Sequence, residues 1–238
     1  ITSIINFKEF DDDHYLMMAT REGVIKKVSL TNFINARVRG IRALFLDEGD
    51  ELLSCELVED GDEVMIITKL GRGLKINQDS VRAMGRASRG VRGIRLVGKD
   101  KVAGLLKVDD TKRILMITEN GQGKQVNFDA FTVHGRGTQG QRIYTIGGKA
   151  NSIIGTLAVN DDNDVVCVTL MGQTIRVHVD SISIQGRNAA GVRVASMKFK
   201  GDSIVAIAST ERDDEDDEAQ EGDAPEQEEG AEGNPAEE

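Results

Sequence analysis

Short runs of apolar residues recur along the chain, and each run ends in a threonine that is followed by a turn containing glycine. The four threonines are Thr20, Thr68, Thr118 and Thr169. Apolar runs of this length, without polar alternation, are typical of strands that are buried on both faces. No stretch combines a sustained helical period with capping residues, so the pattern predicts an all-β protein.

The pattern returns at a nearly fixed interval, which indicates a repeat. A Gly-x-Arg motif ends at Arg42, Arg92, Arg142 and Arg193, so successive arginines are 50, 50 and 51 residues apart. A unit of about 50 residues with four short strands has the size of a propeller blade. Each unit must bury its apolar face against its neighbours, so we predict a propeller-like array of four-stranded blades.

The repeats divide the chain into predicted units. A third motif that begins a strand, such as Gly49-Asp-Glu-Leu-Leu, follows each Gly-x-Arg motif, and Thr2-Ser-Ile-Ile matches it at the start. No linker interrupts residues 1–210, which are therefore predicted to form one repeat domain. The predicted units are 1–48, 49–98, 99–149 and 150–200, followed by a closing strand at 201–210.

Residues 211–238 differ in composition from the repeats. They hold 15 acidic residues and one basic residue, a net charge of −14, whereas residues 1–210 hold 25 acidic and 29 basic residues, a net charge of +4. A segment so charged and so poor in large apolar side chains is predicted to be a disordered acidic tail. Within the domain, acids such as Asp161 and Asp162 fall in hairpin turns and arginines in other loops, which predicts a positive rim and a negative face.

The densest group of cations is the stretch 82–96, which places five arginines in fifteen residues. Gly85, Gly90 and Gly93 argue against a helix there, since each costs about 1 kcal/mol in a helix interior, so we predict a loop that leads into a strand. Equivalent loops on successive blades would form a curved positive track that suits the phosphate backbone of duplex DNA. With no Trp and two Tyr, the stacking surfaces that bind single strands are scarce. The alternative is that these arginines only solvate loops and pair with neighbouring carboxylates.

The predicted DNA-binding residues are the basic residues of these loops and of the strands and turns before them. Contacts of this kind hold the DNA backbone without reading bases, so binding is expected to be independent of sequence. A curved rim would also bend the duplex, at an elastic cost of several kcal/mol. The predicted set is Lys26, Lys27, Arg37, Arg39, Arg42, Arg72, Lys75, Arg82, Arg86, Arg89, Arg92, Arg95, Lys124, Arg136, Arg142, Arg176, Arg187 and Arg193.

No catalytic, metal or cofactor site is predicted. The three histidines lack the spacing of metal ligands. The stretch 135–140 matches the GxGxxG dinucleotide fingerprint, but it lies between β repeats with no helix after it, where the match carries little meaning. Cys55 and Cys167 lie far apart in apolar runs, which predicts free, buried thiols and a reducing cytosol. No apolar run approaches the length of a membrane span, so no membrane association is expected.

The repeats resemble the C-terminal domain of the DNA gyrase A subunit, which is part of a type II topoisomerase. The resemblance rests mainly on Val81-Arg-Ala-Met-Gly and Gly90-Val-Arg-Gly-Ile-Arg-Leu, and further on Ile182-Ser-Ile-Gln-Gly-Arg-Asn and Gly191-Val. It implies a six-bladed β-pinwheel whose blades exchange strands and whose rim wraps double-stranded DNA, so that the ATP-driven enzyme introduces negative supercoils. The acidic tail also resembles the end of many such proteins.

The resemblance further implies partners and a location. The partners would be double-stranded DNA, the gyrase B subunit in an A2B2 complex, and the breakage-reunion domain that lies upstream in the same polypeptide. Their place would be the cytoplasm, with the chromosome. ATP and Mg²⁺ would bind elsewhere in that complex, so this chain is expected to hold no cofactor and to catalyse no reaction alone. The family's active-site tyrosine belongs to the upstream domain, and Tyr15 and Tyr144, predicted in blade strands, do not match it.

The sequence departs from the family pattern in two ways. The first-blade box Gln-Arg-Arg-Gly-Gly-Lys-Gly is missing, and four complete repeats with a closing strand are present, so the chain is expected to be a fragment. Two alternatives stay open: the more degenerate C-terminal domain of the topoisomerase IV C subunit, and a non-catalytic propeller scaffold for protein partners. Four well-kept repeats and the acidic tail favour gyrase. The absence of tryptophan and the arginine-rich rim disfavour a scaffold.

Overall fold

The computed structural model describes residues 2–36, 39–148 and 151–212. Within these ranges the chain consists of short strands, turns and four short 3-10 helices at Leu30–Phe33, Gln78–Ser80, Phe128–Ala130 and Val179–Ser181. The strands are β1 (His14–Thr20), β2 (Val24–Ser29), β3 (Leu52–Glu59), β4 (Glu63–Thr68), β5 (Arg72–Asn77), β6 (Val91–Arg92), β7 (Val102–Lys107), β8 (Arg113–Thr118), β9 (Gln122–Asn127), β10 (Gln141–Arg142), β11 (Ile153–Val159), β12 (Asn163–Thr169), β13 (Thr174–His178), β14 (Val192–Arg193) and β15 (Ile204–Glu211).

The strands form four antiparallel sheets, and each sheet is one blade. The strand orders are β3-β1-β2-β6, β7-β4-β5-β10, β11-β8-β9-β14 and β15-β12-β13. Strand β3 packs against β7, β7 against β11, and β11 against β15, so these four strands lie at the inner side of the array. The two-residue strands β6, β10 and β14 lie at the opposite, outer edge. The all-β, propeller-like architecture predicted from the sequence is confirmed.

Each outer strand comes from the following repeat. Strand β6 pairs with β2, β10 with β5 and β14 with β9, all antiparallel. This is the exchange of strands between blades that the family resemblance implies. Strand β13 has no such outer partner among the described residues, so the last blade has three strands where four were predicted.

The blades begin at different residues from the predicted units. The first blade takes its inner strand, β3, from the predicted unit 49–98, because a repeat period gives the length of a unit but not the residue at which it begins. Residues 2–5, predicted to start a strand, contain none. Strand β15 ends at Glu211, one residue beyond the predicted limit of the domain. The acidic tail after Arg212 lies outside the described residues.

A threonine and a glycine shape the turn between the two central strands of every blade. The threonine Oγ1 accepts a hydrogen bond from the backbone N–H four residues later, with N···O distances of 3.1–3.2 Å in the four blades. The glycine between them has φ between +79° and +85° in all four turns. Only glycine adopts this left-handed conformation without strain, which explains why the Thr-x-x-Gly spacing recurs in the sequence.

Replacing the turn glycine at Gly71 by alanine is expected to lower the free energy of unfolding by about 3 kcal/mol. A Cβ there would overlap the backbone carbonyl of Tyr144, and this overlap adds about 1–2 kcal/mol to the backbone strain of about 1–2 kcal/mol. Gly172→Ala is the matched control, since its φ is +84° and no atom lies within 4 Å of the added methyl group. Urea unfolding of both variants measures the difference, and equal losses would contradict close packing at Gly71.

Candidate nucleic-acid interface

Three arginines occupy equivalent positions on the outer edge of successive blades. Arg92, Arg142 and Arg193 each end a two-residue strand, β6, β10 and β14. All three residues are exposed. The ion pairs in the described part of the chain involve other arginines, such as Arg21 and Arg113. The three rim arginines are therefore placed to meet an anion from solvent.

Arg42, the fourth predicted member of this series, is exposed but does not lie in a strand. Its guanidinium carbon is 4.5 Å from the ring centroid of Phe45. The other three arginines pair with the second strand of the preceding blade, and the described residues contain no strand before β1. Arg42 therefore lacks the backbone support that holds its counterparts.

The segments around these arginines form four loops, which we name arginine loops 1 to 4 and which comprise residues 39–46, 81–96, 131–146 and 182–197. Backbone hydrogen bonds join each loop to the next. They run from Phe45 N to Ser88 O, from Arg95 N to Thr138 O and from Thr145 N to Ala189 O, with N···O distances of 3.2, 2.8 and 3.3 Å. The four loops thus form one continuous strip along the outer edge of the array.

Other predicted arginines also lie on this strip. Arg39, Arg82, Arg89, Arg95 and Arg136 are exposed, and Arg86 and Arg187 are half-buried. Some of them have partners within the protein. Arg89 pairs with Asp47 at 2.8 Å, and Arg187 donates to Gln141 Oε1 at 2.8 Å. Local pairing, one part of the alternative considered from the sequence, therefore accounts for some of these arginines, whereas the ion pairs of the described residues do not include the three on the outer strands.

Lys26, Lys27 and Lys124, predicted to contact DNA, are buried. Their exposed fractions are 0 %, 5 % and 0 %. Lys27 Nζ donates to Gln78 Oε1 at 2.6 Å and lies 4.6 Å from the ring centroid of Tyr15. The three lysines lie in β2 and β9, and arginine loops 2 and 4 cover the ammonium groups of Lys26 and Lys124. They do not reach the surface, and the structure therefore corrects this part of the prediction.

The ammonium groups of Lys26 and Lys124 are enclosed by backbone carbonyls. Each Nζ has three carbonyl oxygens at 2.6–3.0 Å. Burial lowers the pKa of Lys26 and lowers the pKa of Lys124 to about 8. The three oxygens match the three N–H donors of an ammonium, so each lysine is bound within the protein and is not offered to a ligand.

A side-chain contact joins the two central strands of every blade. In every blade, a residue at the start of the first strand contacts the residue twelve positions later on the second strand. The pairs are Tyr15 with Lys27, Glu63 with Lys75, Arg113 with Gln125 and Asp164 with Arg176. Lys75 and Arg176, both predicted to bind DNA, thus pair with a carboxylate on the neighbouring strand; Lys75 is half-buried, whereas Arg176 is exposed. Arg72 is half-buried and donates to Gly140 O at 3.4 Å, and Arg37 lies outside the described residues.

The turns at the other end of the blades are acidic, but they are not the hairpins that the sequence predicts. Each joins the inner strand of one sheet to the first strand of the next sheet. Together they contain Asp60, Asp62, Asp109, Asp110, Asp161 and Asp162. The outer arginine strands instead pair near the start of the second strand, beside the threonine–glycine turn. The arginine strands and these acidic turns thus lie at different places along the blade, although Glu22 and Glu51 lie near a threonine–glycine turn. The division into a positive rim and a negative face stays a prediction.

The other chemical motifs lie in ordinary structural settings. The stretch 135–140 belongs to arginine loop 3 and leads into the two-residue strand β10. No group of three or more His, Cys, Asp or Glu side chains in the described ranges is arranged to hold a metal ion. Likewise, none of the described helices has the length and apolar character to cross a membrane. Cys167 is buried and Cys55 half-buried, and neither forms a disulfide.

Neither tyrosine is placed as a surface nucleophile. Tyr15 lies in β1, half-buried beneath the ammonium of Lys27. Tyr144, predicted in a strand, lies in arginine loop 3 just after β10 and is 1 % exposed. Burial raises its pKa above the usual value for a phenol. That neither residue has the role of the family's active-site tyrosine stays a prediction.

No signal in the sequence indicated the contacts that join the arginine loops. The acceptors are backbone carbonyls, as at Ser88 and Ala189, and every residue carries that group. The buried lysines could have been found by comparing the repeats. Leu74 and Ile175 occupy the places of Lys26 and Lys124 in the other two blades, which indicates a position that faces the interior.

Known proteins are similar to this chain in both sequence and fold. The chain matches the family model for the DNA gyrase C-terminal domain, a beta-propeller, over residues 14–59, 62–109, 112–160 and 163–211. It is 59% identical over 208 residues to the DNA gyrase A subunit of Treponema pallidum, covering 87% of this chain and 26% of that protein. It is 47% identical over 228 residues to the DNA gyrase A subunit of Halalkalibacterium halodurans, covering 96% of this chain and 27% of that protein. The chain thus spans about a quarter of the length of these relatives.

Two solved structures are similar to the described fold. A DNA gyrase A C-terminal domain superposes with a TM-score of 0.76 at 29% identity, covering 86% of this chain and 68% of that chain. A C-terminal domain of DNA topoisomerase IV superposes with a TM-score of 0.79, covering 87% of this chain and 65% of that chain, but its 20% identity speaks for the fold alone. Because the family model covers all four blades and the gyrase A sequences align along most of the chain, this chain belongs to the family of DNA gyrase A C-terminal domains.

Proposed function

We propose that this chain binds duplex DNA along its arginine loops and bends it around the outer edge of the blades, without reading base sequence. In the parent enzyme this wrapping would support ATP-dependent negative supercoiling. The supporting observation is the repeated outer-edge position of Arg92, Arg142 and Arg193, each exposed at the end of an exchanged strand. Cations that repeat with the blades suit a polymer whose phosphates also repeat, and phosphate contacts alone give affinity independent of sequence.

The proposal assigns the chemistry of the reaction to other parts of the enzyme. Strand cleavage would belong to the breakage-reunion domain upstream in the same polypeptide, whereas ATP and Mg²⁺ would bind elsewhere in an A2B2 complex with the gyrase B subunit. The chain would act in the cytoplasm, where the chromosome lies. The burial of Tyr144 and the contact of Tyr15 with Lys27 support a non-catalytic role for this region.

Single alanine replacements at Arg92, Arg142 and Arg193 test the backbone track. Each is expected to weaken duplex binding by about fivefold, equal to about 1 kcal/mol, on unrelated sequences alike. Each should also flatten the slope of log affinity against log salt by about 1, because one phosphate contact is lost. The measurement is the affinity for two unrelated duplexes over a series of salt concentrations.

Lys112→Ala is the matched control for these variants. Lys112 lies in the acidic turn between β7 and β8, where it pairs with Asp109 at 3.5 Å. Its replacement removes one positive charge and should leave the slope unchanged. If the three arginine variants keep the parental slope, or if their losses depend on DNA sequence, the chain does not bind DNA through a backbone track. If the arginine variants still bind DNA but no longer bind protein partners, the scaffold alternative is favoured.

A further inference from the structure

The buried lysines Lys26 and Lys124 each hold one arginine loop by its backbone. Lys26 Nζ donates to Arg86 O at 2.6 Å and Ser88 O at 2.9 Å, both in arginine loop 2. Lys124 Nζ donates to Gly186 O at 2.8 Å and Arg187 O at 3.0 Å, and also to Ala189 O at 3.0 Å, all in arginine loop 4. Both ammonium groups therefore lie inside the turn that carries Arg86 or Arg187.

Each lysine also contacts the preceding loop. Lys26 Nζ donates to Ala43 O of arginine loop 1 at 2.8 Å. Lys124 Nζ lies 4.9 Å from the ring centroid of Tyr144 in arginine loop 3. Each ammonium thus fixes two neighbouring arginine loops relative to one another, loops 1 and 2 in one case and loops 3 and 4 in the other.

The second blade provides an internal comparison. Its residue in the same register is Leu74, which is fully buried and has no ammonium to offer. The turn of arginine loop 3 is closed by its own side chain, as Thr138 Oγ1 donates to Gly135 O at 3.1 Å, and Ser88 Oγ closes the turn of arginine loop 2 in the same way by donating to Gly85 O at 2.8 Å. Arg136 of arginine loop 3 also donates to Ser80 O at 3.1 Å. The second blade therefore accommodates an apolar residue at this position, and the lysines of the first and third blades add ammonium donors that this blade lacks.

Charge and geometry indicate what the two ammonium groups do in the first and third blades. Backbone carbonyls that point inward from a tight turn repel one another and need donors when they are buried. An ammonium with three donors satisfies them together. The outward side of the turn is then left to the arginine side chains. A turn that already has its binding shape loses no conformational freedom when DNA arrives, and preorganisation of this kind strengthens binding.

We propose that Lys26 and Lys124 are positioning residues of the DNA-binding strip, which fix arginine loops 2 and 4 from within without contacting DNA. This inference rests on the proposed function. It predicts that loss of either ammonium loosens one identified turn, 85–88 or 186–189, and lowers DNA affinity through that turn alone. It also predicts that the salt slope stays unchanged, because neither lysine neutralises a phosphate.

The test replaces each lysine by the residue that the second blade uses. Lys26→Leu and Lys124→Leu are prepared in the 238-residue chain, with Leu74→Met as the matched control in the blade that lacks the ammonium. Amide hydrogen exchange of the free protein is expected to become about tenfold faster in the turn concerned and to stay unchanged in the other turns. Duplex affinity is expected to fall about tenfold, with the log–log salt slope retained. The control should change neither quantity.

The outcomes separate this inference from the function on which it rests. Failure of the unchanged chain to bind duplex would overturn the proposed function, and hydrogen exchange would still report whether the lysines fix the turns. Faster exchange with unchanged affinity, unchanged exchange, or a slope flattened by about 1, the loss expected for a direct phosphate contact, would each overturn the inference alone. If Lys26→Leu does not fold, as judged by thermal unfolding, Lys124→Leu carries the same test because all three of its acceptors lie in one turn.

Discussion

Replacing Arg92, Arg142 and Arg193 together by alanine is expected to abolish bending of a duplex around the blades and to weaken binding by about 100-fold. Three phosphate contacts at about 1 kcal/mol each correspond to a loss of this size. Bending a site of 20–30 base pairs costs about 1–6 kcal/mol, and contacts on several blades must offset that cost together. Bending should therefore fail before residual binding does.

A matched triple variant separates position from charge. Arg21, Lys101 and Lys112 are basic residues outside the arginine loops, and they pair with Glu51, Glu22 and Asp109. Their replacement by alanine removes the same three charges and should leave bending intact. The measurements are a bend assay, such as energy transfer between the duplex ends, and affinity as a function of salt. Equal losses in both triple variants would mean that net charge, and not the outer-edge track, governs binding.

Tyr144→Ala is expected to lower the free energy of unfolding by about 3–5 kcal/mol, the usual cost of removing a buried aromatic side chain. Tyr144 is 1 % exposed and packs in the core cluster that includes Met65, Ile143 and Ile153. Its ring also lies beneath the ammonium of Lys124, an interaction that adds about 0.5–2 kcal/mol. Chemical unfolding monitored by circular dichroism measures the loss.

Tyr144→Phe is the control that separates the ring from its hydroxyl group. The Tyr144 hydroxyl is buried and has no hydrogen-bond partner among the described residues. Its removal is therefore expected to leave stability within about 0.5 kcal/mol of the parent or to raise it by about 1 kcal/mol. DNA binding should also be kept, since the ring still lies beneath Lys124. A loss as large as that of the alanine variant would show that the hydroxyl, and not the packing of the ring, holds this region together.

The candidate site was predictable where a residue's role depends on its place in the repeat. The Gly-x-Arg period located Arg92, Arg142 and Arg193, which the structure places at equivalent outer-edge positions. The same reasoning wrongly placed Lys26, Lys27 and Lys124 on the DNA-binding surface, although all three are buried. A lysine in a β-rich segment can lie on the surface or be enclosed by carbonyls, and composition does not distinguish the two. For Lys26 the difference comes from carbonyls 17 to 62 residues away along the chain.

The boundaries of the blades could not be derived from the period alone. A repeat of about 50 residues can be cut at any point, and the structure shows that each complete blade combines strands from two predicted units. Arg42 illustrates the consequence, since its motif matches the others but lies outside any strand. The Gly-x-Arg motif indicates a segment that can pair as an outer strand, whereas the pairing itself requires the second strand of a preceding blade.

The sequence by itself determined the all-β class, the repeat, the threonine–glycine turns and the register of the arginine series. These features depend on local chemistry, because a positive φ requires glycine and an unalternating apolar run requires burial on both faces. Only the tertiary structure decided which cations reach solvent and which stabilise the interior. That choice depends on strand exchange, which places arginine loops 2 to 4 of the following repeats over the second strands of the first three blades. Contacts between residues so far apart in the chain leave no pattern in either local sequence.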